Sequence, residues 1–163
     1  MRGFGGLSFS MWKLGNLEIN GKTVLAPMAG YTSFAYREFF SEFGVNLTYT
    51  EMVSDMGLIY GNKETISYLP TKKETVPVGI QLFGSDPDNL KKATQIVMEK
   101  TSYFDFIDVN MGCPVPKVTK TGAGSALLKD PKKCGDIIRA IKSVYPGPVT
   151  AKIRLGWDDK SIN

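Results

Sequence analysis

The chain has 163 residues, of which 42% are hydrophobic and 22% charged; 20 Lys plus Arg stand against 16 Asp plus Glu, a formal charge of +4 at pH 7. These values suit an ordinary folded domain and exclude a disordered tail, a collagen-like fibre and a membrane span, because no apolar run approaches ~20 residues. The absence of histidine removes Ser-His-Asp and Cys-His machinery and His-liganded metals, while the mild basicity permits a polyanionic partner without requiring one.

Residues 1–12, with Gly3, Gly5 and Gly6 and no long apolar segment of a secretory signal, read as a flexible N-terminal segment ahead of one unit over 13–163. An Asn20-Gly21 pair between Leu17-Glu18-Ile19 and Lys22-Thr23-Val24 predicts a small hairpin. It leads into a short buried strand, Val24–Ala26, that Pro27 ends. Tyr36, Phe39, Phe40 and Phe43 mark one apolar stripe of a helix over 34–43, with Thr32 or Ser33 as cap and Gly44 as stop. The stripe reads as core rather than as a stacking platform. A second strand follows over 47–52, then a broken helical stretch over 54–69 and a third strand over 76–83.

Asp86-Pro87 is an N-cap followed by a first-turn proline, and it opens a helix carrying Leu90, Ala93 and Val97. A fourth strand is expected over 106–109 and a long loop over 110–129. Asp130-Pro131 repeats the capping device for a helix whose stripe is Cys134, Ile137, Ile138, Ile141 and Tyr145. A fifth strand runs over 149–155. The strands are apolar runs that alternate with helices, the pattern of βαβ units and a parallel sheet. Neither a GxGxxG nor a P-loop pattern is present. The fold class is therefore α/β: the N-terminal half to two-thirds of a (β/α)₈ TIM barrel, about five parallel strands with intervening helices, preceded by a small β-hairpin.

In such barrels function gathers at the C-terminal ends of the strands. Those ends carry Pro27-Met28-Ala29, Glu51-Met52, Gln81, Asn110 with Cys113, and Lys152 with Arg154. Without histidine, Cys113 is either a general acid or a thiol activated by a lysine, or else a structural cysteine in a tight loop. Gln81 offers a buried amide to a planar heterocycle or to the backbone. Lys152 is a cation within a strand, and it needs an anionic partner: a cofactor group, Glu51 or Asp108. Lys117, Lys120 and the glycines of 117–125 make a basic loop suited to phosphates. Cys134 lies on a helical apolar stripe and reads as core. With no CxxC, neither a disulfide framework nor a metal site is indicated, and a reducing cytoplasm fits best.

Four stretches together resemble the tRNA-dihydrouridine synthase family: Ala26-Pro27-Met28-Ala29-Gly30-Tyr31-Thr32, Gln81-Leu82-Phe83-Gly84, Asn110-Met111-Gly112-Cys113-Pro114 with Gly122–Leu128, and Lys152–Trp157. The resemblance implies FMN bound at the mouth of a barrel, NADPH as reductant and a uridine of tRNA as substrate. It implies that Pro27, Met28 and Ala29 line the flavin, that Gln81 bonds its pyrimidine edge and that Lys152 lies near N1 and O2. Asn110 would hold the uracil, and Cys113 would protonate C5 as hydride reaches C6. The family's later strands and helical tRNA-binding domain are not in these residues, so the chain alone is expected to be inactive or nearly so. Two other readings are another FMN barrel of the dihydroorotate- or ene-reductase type, and a non-catalytic half-barrel that self-associates through bare sheet edges.

Overall fold

The computed structural model describes residues 11–162. Its centre is a parallel sheet in the order β3 (Thr48–Tyr49), β5 (Val78–Phe83), β6 (Phe106–Met111) and β7 (Val149–Ile153), with β4 (Val53–Ser54) pairing further along β5. Thr48 stands opposite Val78 but Val53 opposite Leu82. One extra residue over 50–52 therefore swells out of the ladder between β3 and β4, at Glu51 and Met52. The strand expected at Val24–Ala26 is reduced to one parallel bridge, Val24 to Leu47. Pro27 has no N–H to extend the ladder beyond it.

A hairpin precedes the sheet, β1 (Met11–Leu14) against β2 (Leu17–Asn20), but its turn is Gly15-Asn16 rather than Asn20-Gly21. Gly15 takes φ +61° at the first central position, as a type II′ turn demands. Asn20-Gly21 instead closes the open end, where the Gly21 carbonyl accepts from Trp12 Nε1 at 2.7 Å. The boundary expected at residue 12 falls inside β1, and residues 1–10 lie outside the described residues. Ile19 of the hairpin packs with Leu47 and Phe106, at the starts of their strands, and so covers the N-terminal end of the sheet.

The helices are α1 (Phe34–Ser41), α2 (Asp55–Ile59), α3 (Lys63–Ser67), α4 (Pro87–Lys100), α5 (Pro116–Thr119) and α6 (Pro131–Lys142). Both Asp-Pro devices work as expected. Asp86 accepts from the Asn89 N–H and Asp130 from the Lys133 N–H, each with proline in the first turn. Leu90, Ala93 and Val97 of α4 and Ile137 and Ile141 of α6 pack on Ile80, Leu82, Ile107 and Val109 to form the main core.

Helix α1 reverses the expectation for its aromatic stripe. Phe39 and Phe43 are 56% and 68% exposed, and the rings of Tyr36, Phe39, Phe40 and Phe43 pack on one another at the surface. The residue that α1 buries is Arg37. Its Nε donates to Glu74 Oε2 at 2.9 Å, Nη2 bonds Glu74 Oε1, and Nη1 donates to the Thr32 carbonyl at 2.6 Å. Periodicity locates a stripe on a helix but not the direction it faces; a buried, bidentate ion pair sets that direction here.

Candidate active site

Successive strand residues face opposite sides of a sheet. Ile80, Leu82, Ile107 and Val109 meet the helices, so Gln81, Asp108, Asn110, Thr150 and Lys152 share the other face. The register places Gln81 opposite Asp108 and Asn110 opposite Lys152. This is the inward face of a half-barrel, polar toward its C-terminal end.

A cavity of about 290 Å³ opens there, lined by Pro27, Ala29, Met52, Gln81, Asn110, Cys113 and Lys152 among others. Met28 does not line it. The Met28 N–H donates to Thr32 Oγ1 at 3.1 Å, and the Met28 carbonyl accepts from Thr32. Glu51 accepts from the Gly30 N–H and so closes the same turn from the β3 side. Asn110 lies within β6 and not in the loop expected to start there. Its Oδ1 accepts from the N–H groups of Gly112 and Cys113 at 3.1 and 2.9 Å.

The loop after β6 is more ordered than expected. It contains α5 and a 3₁₀ turn over Gly124–Lys129. The Cys113 carbonyl accepts from the Ser125 N–H at 2.9 Å, which ties the thiol-bearing turn to the 3₁₀ segment. Lys117 and Lys120 of this loop are exposed. Cys134 is away from the cavity, on α6, with Sγ on the Leu127 carbonyl and a thiol pKa pushed up by burial and then by Asp130.

Lys152 forms no ion pair with Glu51 or Asp108; the ion pairs among the described residues are Lys13–Glu18, Arg37–Glu74 and Arg139–Asp136. Lys152, Gln81, Asn110, Pro27 and Ala29 line one cavity. Asp108 is the residue that sequence reasoning did not place in the site. It is fully buried, and burial raises its carboxyl above the ordinary 3.8, with the Gln81 and Thr150 hydrogen bonds and Lys152 pulling the other way. The available signal was its alternation with Asn110 in an otherwise apolar strand.

The family model for dihydrouridine synthase matches residues 24–163. The chain belongs to the dihydrouridine synthase family. Among similar proteins are a probable tRNA-dihydrouridine synthase of Treponema pallidum, 35% identical over 154 residues (91% of this chain, 45% of that protein), and tRNA-dihydrouridine synthase B of Pasteurella multocida, 36% identical over 151 residues (93% and 45%). A probable tRNA-dihydrouridine synthase of Aquifex aeolicus is 38% identical over 147 residues (87% and 45%). The chain spans about 45% of the length of these relatives. No helix among its described residues is long and apolar enough to cross a membrane.

Proposed function

We propose that the chain holds the ring-binding and proton-donor half of a site that reduces uridine in tRNA to 5,6-dihydrouridine, with FMN as cofactor and NADPH as reductant. The observation that carries this reading is the meeting of Cys113, Asn110, Gln81, Lys152, Pro27 and Ala29 around one cavity at the strand ends. Bound FMN supplies the hydride for C6 of the base. Pro27 and Ala29 lie against the ring, and Met28 fixes their turn through Thr32. Gln81 bonds the pyrimidine edge, and the Lys152 ammonium, which forms no ion pair among the described residues, offsets negative charge on it. Asn110 orients the uracil. Cys113 holds a proton at Sγ and delivers it to C5, an acid role that needs no histidine. The base must leave the tRNA stack to reach the cavity, and the exposed Lys117 and Lys120 would meet its phosphates. Because the chain spans under half of its relatives' length, and barrels hold cofactor phosphates beyond later strands, the 163-residue chain alone is expected to form little dihydrouridine.

The test is an FMN fluorescence titration of the purified chain and two variants. Lys152→Met is expected to weaken binding about tenfold or more, equivalent to ~1.4 kcal/mol, while Cys113→Ala stays close to wild type. Equal affinities for wild type and Lys152→Met, or no FMN binding by the wild type, would count against the reading.

One observation favours self-association as a second property. Strand β7 pairs with β6 alone among the described strands, and Ile153 and, just beyond, Leu155 are exposed. An unpaired apolar edge templates pairing with another chain. Sedimentation velocity is expected to show concentration-dependent dimers or larger species, reduced by Ile153→Lys; a wild-type monomer at all concentrations would refute it.

A further inference from the structure

Asp108 lies at the root of a hydrogen-bond chain that ends on the Cys113 loop. Its Oδ2 accepts from Gln81 Nε2 at 2.6 Å and its Oδ1 from Thr150 Oγ1 at 2.5 Å. Gln81 Oε1 then accepts from Asn110 Nδ2 at 3.0 Å, and Asn110 Oδ1 from the Gly112 and Cys113 N–H groups. Three neighbouring strands contribute, and every member of the chain is buried or half-buried.

A side-chain amide can turn end for end with almost no change in shape, so its polarity must be imposed by neighbours. Both ends of this chain impose the same one. Backbone N–H groups only donate, which turns Asn110 Oδ1 toward Cys113 and Nδ2 toward Gln81. Gln81 must then present Oε1 to Asn110 and Nε2 to Asp108. The two Asp108 carboxylate oxygens both accept, from Gln81 and from Thr150, and so meet that demand from the far end. Asparagine at the same place would carry one donor and one acceptor, and it would tolerate either orientation of Gln81. Burying the charge lowers stability at neutral pH: a carboxyl whose native pKa is raised loses stabilisation as pH climbs from the unfolded value through the native one. An apolar residue would carry no such penalty, so the carboxylate's contribution lies elsewhere.

We propose that Asp108 is a positioning residue that fixes the polarity of the Gln81 and Asn110 amides and, through Asn110, the backbone of the Cys113 loop. The inference rests on the reading of this cavity as the reaction site, but its test does not need the cofactor. The whole chain, labelled with ¹⁵N, is compared with Asp108→Asn and Asp108→Leu. One readout is the side-chain NH₂ resonances of Gln81 and Asn110. The other is the rate of iodoacetamide alkylation at Cys113, with Cys134 as internal reference.

Wild type is expected to give a single set of NH₂ resonances for each amide. Asp108→Asn should double or shift both sets, and Asp108→Leu should release the Gln81 NH₂ to fast exchange. Both variants should change the Cys113 rate several-fold and leave Cys134 unchanged; general loosening of the fold would move both thiols. Unchanged Gln81 and Asn110 resonances with an unchanged Cys113 rate would overturn the proposal, as would parallel changes at both cysteines. If Asp108→Leu does not fold, Asp108→Asn decides alone. Loss of FMN binding with the relay intact would defeat the flavin reading and leave this one standing.

Discussion

Arg37→Met is expected to lower the stability of the chain by about 3–5 kcal/mol, because it strands the Glu74 carboxylate in the interior. The Arg37 and Glu74 side chains are only 3% and 1% exposed, so water cannot replace the lost partner. For a domain of this size each kcal/mol corresponds to roughly 2–4 °C, and the midpoint of thermal unfolding should fall by roughly 6–20 °C. The double variant Arg37→Met/Glu74→Leu is expected to recover most of the loss, since apolar replacements of buried pairs are often neutral. The coupling energy from the double-mutant cycle is the deciding number. Additive losses from the two single variants would show that the pair is not a unit. The damage should also spread: Arg37 Nη1 holds the Thr32 carbonyl, and Thr32 holds both backbone polar groups of Met28. The turn that presents Pro27 and Ala29 to the cavity therefore hangs from this ion pair.

Gly124→Ala is expected to lower stability by about 2–5 kcal/mol and to displace the Cys113 turn. Two effects add. Gly124 has φ +60°, a conformation that costs an L-residue about 1–2 kcal/mol. A Cβ there would also stand 2.5 Å from the Cys113 carbonyl oxygen and 2.9 Å from Val118 Cγ1, an overpacking worth about 1–3 kcal/mol. Gly122 is the control. It also has a positive φ, +79°, but its Cβ would meet Ser85 at an ordinary 3.4 Å. Gly122→Ala should therefore show the backbone term alone, about 1–2 kcal/mol. Urea unfolding measures the difference, and the alkylation rate of Cys113 reports the displacement. Equal losses at the two glycines would refute the clash argument.

The parallel arrangement was legible because apolar runs alternate with capped helices, and Asp86-Pro87 and Asp130-Pro131 marked two helix starts to the residue. Most of the cavity lining was legible too, because Gln81, Asn110, Cys113 and Lys152 are chemically out of place beside apolar strands. What escaped has physical causes. Asn20-Gly21 and Gly15-Asn16 are both hairpin signals, and cross-strand pairing from Met11 to Asn20 selected the second. The stripe of α1 carried no information about which face Arg37 would occupy. Asp108 was weighed only as a partner for Lys152, because a lone sequence does not reveal that Gln81 would sit across from it. The ordering of 116–129 into α5 and a 3₁₀ turn depends on long-range bonds such as Ser125 to Cys113, which local pattern does not encode.

Among the described residues β7 is one of the two end strands of the sheet, and its last three residues are exposed, yet it supplies both Thr150 and Lys152. Segments with many exposed residues can open locally below the global unfolding free energy, and backbone amides exchange with solvent through such openings. Organisation of the cavity is thus tied to an end strand of the described sheet. Each time β7 frays, Asp108 loses a donor and the cavity its cation together. Anything that grips Lys152 from the cavity side must close that strand down, so occupancy of the site and slow solvent exchange of the 149–153 amides are two faces of one equilibrium.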